Sequence, residues 1–343
     1  MQRCLMLAQM GAGSVAPNPM VGAVLVYKGA IIAEGYHQQF GGPHAEVECI
    51  NSVKKENRRL IPEATMYVSL EPCAHYGKTP PCADLLVQEG IKKVVIGCRD
   101  PFSQVAGKGI QKLEQSGAEV TVGVLEKECI DLNKHFFTFN TAHRPFITLK
   151  WAQTANCKIA NGNFSRLHIS NDYSARIVHR LRSHHMSILV GTNTALFDDP
   201  QLSTRHWPGK SPLRLVIDKT LRLPASLQLF DGSHPTIVFN LLRHQQHYNL
   251  MYYQISEDSS LVNQIVQALY TLKINSVLVE GGSQLLQSFI NEGLWDEAVV
   301  ITNQSMVVAN GLPAPQLQHQ QLSNIEHLYN DTIHTYTQHF NKE

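Results

Sequence analysis

Charge imbalance, long apolar runs and a disulfide pattern are all missing from this chain. Lysine plus arginine number 29 against 28 aspartate plus glutamate, a formal net charge of +1. That excludes the basic field on which duplex or single-strand nucleic-acid binding depends, and no aromatic–basic patch takes its place. No run approaches the roughly 20 apolar residues of a membrane span, and Met1 leads into no signal-peptide pattern. The cysteines number seven, an odd count without framework spacing, which fits a reducing compartment. There is no GxGxxG and no Walker sequence, so a Rossmann or P-loop nucleotide site lacks support. What remains is a soluble cytoplasmic protein with neither nucleic acid nor membrane as partner. Its 343 residues, 43% of them hydrophobic, allow two full cores.

What is present is one chemically dense stretch. It begins Gly41-Gly42-Pro43-His44-Ala45-Glu46 and resumes at Glu71-Pro72-Cys73 through Pro80-Pro81-Cys82. Zinc prefers nitrogen and sulfur ligands in a tetrahedron, and a catalytic site keeps one position for water. His44, Cys73 and Cys82 fill three positions. Their two thiolates cancel the metal charge, so water at the fourth position ionises near neutrality. Glu46 lies two residues past the histidine, where it cannot easily reach the same metal, and is placed to carry protons. His-x-Glu followed by Pro-Cys and a second Cys is the zinc-deaminase signature, with the Glu as acid/base. The competing reading is a structural zinc knot with His75 as fourth ligand, or buried cysteines without metal. Against it, both cysteines lie in Pro-, Gly- and His-rich loop sequence.

The surrounding pattern places this stretch on an α/β scaffold. Residues 1–11 read as a helix stopped by Gly11 and Gly13. Ala16-Pro17-Asn18-Pro19 is a stiff loop, and 21–27 with 30–33 form a hairpin about Lys28-Gly29. Helix is expected over 44–53, which puts His44 and Glu46 in a first turn. A strand follows at 65–70, and Cys73 starts the next turn, near a helix N-terminus that would lower its thiol pKa. Helix 81–89, strand 92–97, helix 110–116, strand 119–124 and helix 126–140 complete a layered α/β unit. Asn18 is either a turn residue or a reader of a base edge, because an amide offers a donor and an acceptor together.

Four segments, PNPMVG at 17–22, HAE at 44–46, EPCAHYGKTPPC at 71–82 and DPFSQVAGKG at 100–109, resemble the deaminase half of the RibD family of bifunctional riboflavin-biosynthesis enzymes. The nine-residue cysteine spacing is particular to that family among zinc deaminases. The resemblance implies a cytidine-deaminase-like, three-layer α/β/α domain over 1–143. Its substrate would be a diaminopyrimidinone bearing a ribosylamino 5′-phosphate, with Asn18 and Lys78 as substrate contacts.

A polar break at 141–145 precedes a second α/β pattern. Strands are expected at 145–151, 187–191, 213–218, 236–240, 252–256, 276–280 and 297–302, with helices over 261–272 and 284–291. A closing hairpin runs across Asn330-Asp331. Glu280-Gly281-Gly282-Ser283 joins strand to helix and lets backbone N–H groups approach a phosphate. KWAQTANCKIA at 150–160, RLHIS at 166–170, LVGTNTALFDDPQLSTR at 189–205, LRLVID at 213–218 and VEGGSQLL at 279–286 resemble the reductase half of the same family, a dihydrofolate-reductase-like α/β domain, here 144–343. The resemblance implies NADPH-dependent reduction of a ribosyl group to ribityl. It assigns Ala152, His168, Thr194, Asp198, Gly281, Gly282, Ser283 and Gln284 to the cofactor, and Arg182, Leu202, Arg205 and Glu280 to the substrate. Homo-oligomers, dimers or tetramers, are expected as well.

Three departures from that pattern stand out. Asn156 replaces an acid, and Cys157 replaces a glycine; if the backbone there has positive φ, Cys157 is strained. His168 stands where many members have Trp, and Lys219 where some have a cofactor-binding Ser. Two alternatives follow: a deaminase whose second half only binds nucleotide or scaffolds an oligomer, and a nucleic-acid-editing deaminase. The remaining histidines, including His37, His179, His184, His185 and His206, read as surface or satisfied core residues.

Overall fold

The computed structural model describes residues 1–74, 80–102, 106–162 and 167–339. The chain divides into two compact units, Met1–His143 and Arg144–Glu343.

The first unit contains α1 (Gln2–Gln9), β1 (Gly22–Tyr27), β2 (Ala30–Tyr36), α2 (Ala45–Asn51), β3 (Thr65–Leu70), α3 (Cys82–Gln88), β4 (Lys93–Cys98), α4 (Lys108–Gln115), β5 (Glu119–Val122), α5 (Glu126–Leu132) and α6 (Lys134–Thr141). Its sheet runs β2-β1-β3-β4-β5. β1 is antiparallel to both neighbours, whereas β3, β4 and β5 are parallel. The β1–β2 turn needs two residues with positive φ; Lys28 and Gly29 supply them at 48° and 81°. β1 is buried on both faces, and side-chain alternation splits it between them. Ala23 and Leu25 join the core under α2, α3 and α4, while Val24 packs with Cys4 and Leu7 of α1. Three layers result. α1 lies so close to β1 that a Cβ on Gly22 would fall 2.0 Å from the Cys4 carbonyl oxygen, so only glycine fits there.

One helix was expected over 126–140, but two are present. The break is Asn133, buried at 3% exposure. Its side chain pairs with the backbone of Met20, accepting from N–H at 2.7 Å and donating to C=O at 2.9 Å. That two-way bond competes with helix propagation and pins the loop that carries Asn18.

The second unit contains β6 (Phe146–Thr154), β7 (Lys158–Asn161), α7 (Asp172–His184), β8 (Ser187–Val190), α8 (Thr192–Asp198), β9 (Leu213–Ile217), β10 (Thr236–Asn240), β11 (Gln245–His247), β12 (Leu250–Gln254), α9 (Leu261–Thr271), β13 (Ser276–Val279), α10 (Ser283–Asn291), β14 (Glu297–Asn303), β15 (Gly311–Pro313), β16 (Gln320–Leu328) and β17 (Asp331–Gln338). Ten strands form one sheet in the order β11-β12-β10-β9-β8-β13-β6-β14-β17-β16. The strands from β12 to β14 are parallel, and β11, β17 and β16 add antiparallel edges. Parallel strands need both faces covered. On one face Val277 and Val279 of β13 pack with α9 and α10; on the other Leu278 joins Ala195 of α8.

α7 begins at a strong cap that the sequence reading passed over. Asn171 accepts from the N–H groups of Tyr173 and Ser174. The closing hairpin turns at Tyr329–Asn330 rather than Asn330–Asp331. Asp331 is instead the first residue of β17, buried, and its carboxylate accepts the Asn171 N–H at 2.8 Å. Among the described residues no helix is long and apolar enough to cross a membrane.

Candidate active sites

In the first unit the chemistry gathers at the C-terminal end of β3. His44 is the N-cap of α2, extended at φ −76° and ψ 166°, and not part of the first turn as expected; Glu46 is the second helical residue. Cys82 opens α3 behind Pro81. The turn expected to start at Cys73 falls on residues 75–79, outside the described ones. Cys73 reaches a helix N-terminus through space: the Cys82 N–H points at its sulfur from 3.3 Å. The thiol of Cys73 lies far below its usual range, at about 4, mainly through its bond with the Cys82 thiol.

The ligand atoms of His44, Cys73 and Cys82 all lie within 4.8 Å of one another. His44 presents Nδ1, 3.6 Å from the Cys73 sulfur and 3.3 Å from that of Cys82. Zn–S and Zn–N bonds of about 2.3 and 2.0 Å at a tetrahedral angle require an N···S edge of roughly 3.5 Å. The three residues therefore fit a zinc ion. Glu46 is 3% exposed. Burial, then the negative charge of Cys73, pushes its carboxyl up to about 7, against the pull of His44. A carboxyl poised near neutrality can both take and give a proton.

Two further groups brace this site. Glu71, fully paired, accepts from the backbone N–H groups of Asp100, Gly107, Gly109 and Ile110 at 3.0–3.3 Å. Asn18 meets His37: Nδ2 lies 3.1 Å from the ring Nε2, and the opposite ring nitrogen faces the Pro43 carbonyl at 2.8 Å. His37 is a satisfied core histidine, as expected, and edges against the His44 ring. Lys78 and His75 lie outside the described residues.

The second site lies where the connections from adjacent parallel strands diverge. From β8 the chain passes through α8 to β9; from β13 it passes through α10 to β14, on the other side of β6. Ligands bind in such a crevice at the carboxyl ends of the strands. Gly281 approaches Thr194 so tightly that a Cβ would fall 2.8 Å from Thr194 Cγ2, and Gly282 has φ 70°. Thr194 and the Gly281–Gly282 turn are thus brought together beside the start of α10. The bare backbone at this turn, facing a hydroxyl, fits a dinucleotide phosphate. Ser283 spends its hydroxyl on the Pro313 carbonyl. Ala152 is half-buried in β6, Asp198 ends α8, and His168 and Gln284 are exposed.

Beside this turn stands a buried charge cluster. Arg182, in the last turn of α7, grips Glu280 with two parallel bonds of 2.8 Å and donates to the Ser203 carbonyl at 3.2 Å. Lys150 reaches Glu280 at 3.9 Å. Burial pushes the Glu280 carboxyl up, yet the Arg182 and Lys150 charges outweigh it and hold it at about 2. One turn before Arg182, His179 accepts the Arg205 N–H at 2.9 Å. Two α7 side chains thereby clamp the backbone of 203–205, next to Leu202 with its positive φ of 53°. Arg205 bonds the Ser203 hydroxyl at 3.1 Å. His179 is a satisfied core histidine, one of the two alternatives expected for it, whereas Lys150 is not singled out by the sequence. Lys150 lay inside a quoted motif, but nothing local signalled that it is buried beside an acid 130 positions away.

The first of the three departures has a structural account. Cys157 has φ 57°, the strain expected if glycine is displaced. Asn156 donates to the Val308 carbonyl at 2.8 Å and accepts from the Val308 N–H and the Thr154 hydroxyl. An aspartate could not make the first of these bonds.

Residues 1–98 match the cytidine and deoxycytidylate deaminase zinc-binding region, and 145–331 match the RibD C-terminal domain. A riboflavin biosynthesis protein RibD of Aquifex aeolicus is 41% identical over 306 residues, 88% of this chain and 85% of that one. One of Escherichia coli K12 is 34% identical, with 88% and 85% covered. Among solved structures, a diaminohydroxyphosphoribosylaminopyrimidine deaminase/5-amino-6-(5-phosphoribosylamino)uracil reductase of Thermotoga maritima superposes with a TM-score of 0.89 at 36% identity, covering 98% and 97%. Acinetobacter baumannii RibD gives 0.90 at 30% identity, with the same coverage. A deaminase zinc-binding region and a RibD C-terminal domain in one chain, with RibD relatives 34–41% identical over 88% of it, place this protein in the RibD family of riboflavin biosynthesis proteins.

Proposed function

We propose that the chain performs two consecutive steps of riboflavin biosynthesis. The first unit hydrolytically deaminates 2,5-diamino-6-(5-phosphoribosylamino)pyrimidin-4(3H)-one, and the second reduces the ribosyl group of the product to ribityl. The observation that carries this reading is the convergence of His44 Nδ1, Cys73 and Cys82, with the buried Glu46 carboxyl beside them.

When bound, zinc supplies the Lewis acidity that makes water a nucleophile near neutral pH. His44, Cys73 and Cys82 hold it. Glu46 takes one proton from the attacking water and gives it to the ring nitrogen, then takes the proton of the hydroxyl now on the ring carbon and gives it to the departing ammonia. Asn18 meets the pyrimidine edge, and Lys78 contacts the substrate. In the second unit NADPH supplies the hydride. Thr194 and the 281–284 turn hold its phosphates, with Ala152, His168 and Asp198 as further contacts. Among the described residues Arg182 spends three of its five donors on Glu280 and Ser203; the two left over, with Arg205, face the substrate phosphate. Leu202 and Glu280 complete that pocket. The chain acts in the cytoplasm as a homo-oligomer and takes no nucleic acid.

The test is a coupled assay on one zinc-loaded preparation. Ammonia release from the diaminopyrimidinone should precede NADPH consumption by the deaminated product. Ammonia release without NADPH consumption would reduce the second unit to a binding or scaffolding part, and the absence of both would refute the reading.

A further inference from the structure

Asn18 carries an amide whose orientation decides what the deaminase site can recognise. Turned one way it offers NH2 to a substrate, turned the other way C=O. The neighbours settle the choice. The Pro43 carbonyl can only accept, so the His37 nitrogen that faces it at 2.8 Å, Nδ1, carries a proton. The other ring nitrogen, Nε2, faces the Asn18 amide nitrogen Nδ2, which can only donate, so the two contacts together are those of a neutral Nδ1–H ring. A neutral imidazole has one N–H. Nε2 is therefore bare and can only accept. The Asn18 group facing it at 3.1 Å is the NH2. Among the described residues no donor reaches Asn18 Oδ1.

We infer that His37 is a positioning residue of the deaminase site: it fixes the Asn18 amide with NH2 inward and leaves the carbonyl oxygen to substrate, so this position selects a pyrimidine edge that presents an N–H donor. The inference rests on the reading that Asn18 meets the substrate. It also gives the Pro43 carbonyl, one residue before the metal ligand His44, a role: the same short segment sets the metal and, through His37, the amide.

Two measurements on the zinc-loaded full chain test it. The first is a long-range 1H–15N correlation on histidine-labelled protein. His37 should carry its proton on Nδ1 with Nε2 bare; a proton on Nε2 would overturn the inference. The second is a double-mutant cycle read by ammonia release and zinc content. Asn18→Ala should raise KM for the diaminopyrimidinone on the order of tenfold, the worth of one lost hydrogen bond. His37→Leu should do the same, and the double variant should be no worse than Asn18→Ala alone. Fully additive effects, or an unaffected His37→Leu, would sink the positioning role. An Asn18→Ala variant with wild-type KM would instead sink the underlying reading of Asn18. Should His37→Leu lose zinc, His37→Gln decides, because its amide supplies a donor and an acceptor together: recovery to within about threefold of wild type supports the role, and a KM as high as that of Asn18→Ala refutes it.

Discussion

Replacing Cys157 by glycine should stabilise the second unit. The residue stands in the turn between β6 and β7 with φ 57°, a conformation that costs a side chain with a Cβ roughly 1–2 kcal/mol. Its side chain is exposed, and its one described polar contact is a weak 3.8 Å approach from Gln153 Nε2. Removing it therefore loses little. Glycine also gains freedom in the unfolded chain, which takes back about 0.5–1 kcal/mol. The balance is a stabilisation of about 0.5–1 kcal/mol, or roughly 1–4 °C for a unit of this size. Scanning calorimetry of the full chain would resolve it. Cys157→Ala is the control, since alanine keeps the Cβ and with it the strain; its Tm should match wild type. A Cys157→Gly variant that melts at or below Cys157→Ala would refute the claim that backbone strain, not lost packing, dominates here.

Two other predictions concern the buried charges. Glu280→Gln leaves Arg182 and Lys150 facing each other without their carboxylate, which should cost the second unit about 3–5 kcal/mol, measured as a fall in its denaturant midpoint. NADPH consumption should collapse while ammonia release persists; loss of both would contradict the assignment of each activity to its own unit. His179 is depressed to about 4 by burial and by the Arg182, Arg205 and His206 charges, with Glu280 opposing. Below its unfolded value of about 6.5 the unfolded state takes up a proton that the folded state refuses. Its contribution is present above that pH and is lost as pH falls toward 4. Urea unfolding at several pH values should show a shallower decline for His179→Gln than for wild type, and identical slopes would refute the assignment.

The clustering of His44, Cys73 and Cys82 was legible because zinc ligation demands particular residue types, and His44-x-Glu46 with two spaced cysteines leaves few other uses for them. The two layered units were legible for a similar reason: strand and helix periods are local. The cap position of His44 was not, since whether a residue belongs to a helix or precedes it depends on backbone angles that both allow. The break at Asn133 was hidden too. Its partner Met20 is 113 positions away, and helix propensity alone runs straight through. The same holds for His37 with Asn18, Lys150 with Glu280, and His179 with the Arg205 backbone. Each is a histidine or lysine of ordinary appearance in sequence, given meaning by a contact that only the folded chain makes. The strain at Cys157, by contrast, was foreseeable, because a displaced glycine carries its φ requirement with it.

The central claim is that His44, Cys73 and Cys82 hold zinc while Glu46, beside them, moves protons without ligating. Zinc content per chain and ammonia release, measured together on wild type and Glu46→Gln, test it most directly. The account predicts about one zinc per chain in both and deamination in wild type alone; a Glu46→Gln variant that has lost its zinc, or that still releases ammonia at the wild-type rate, would contradict it.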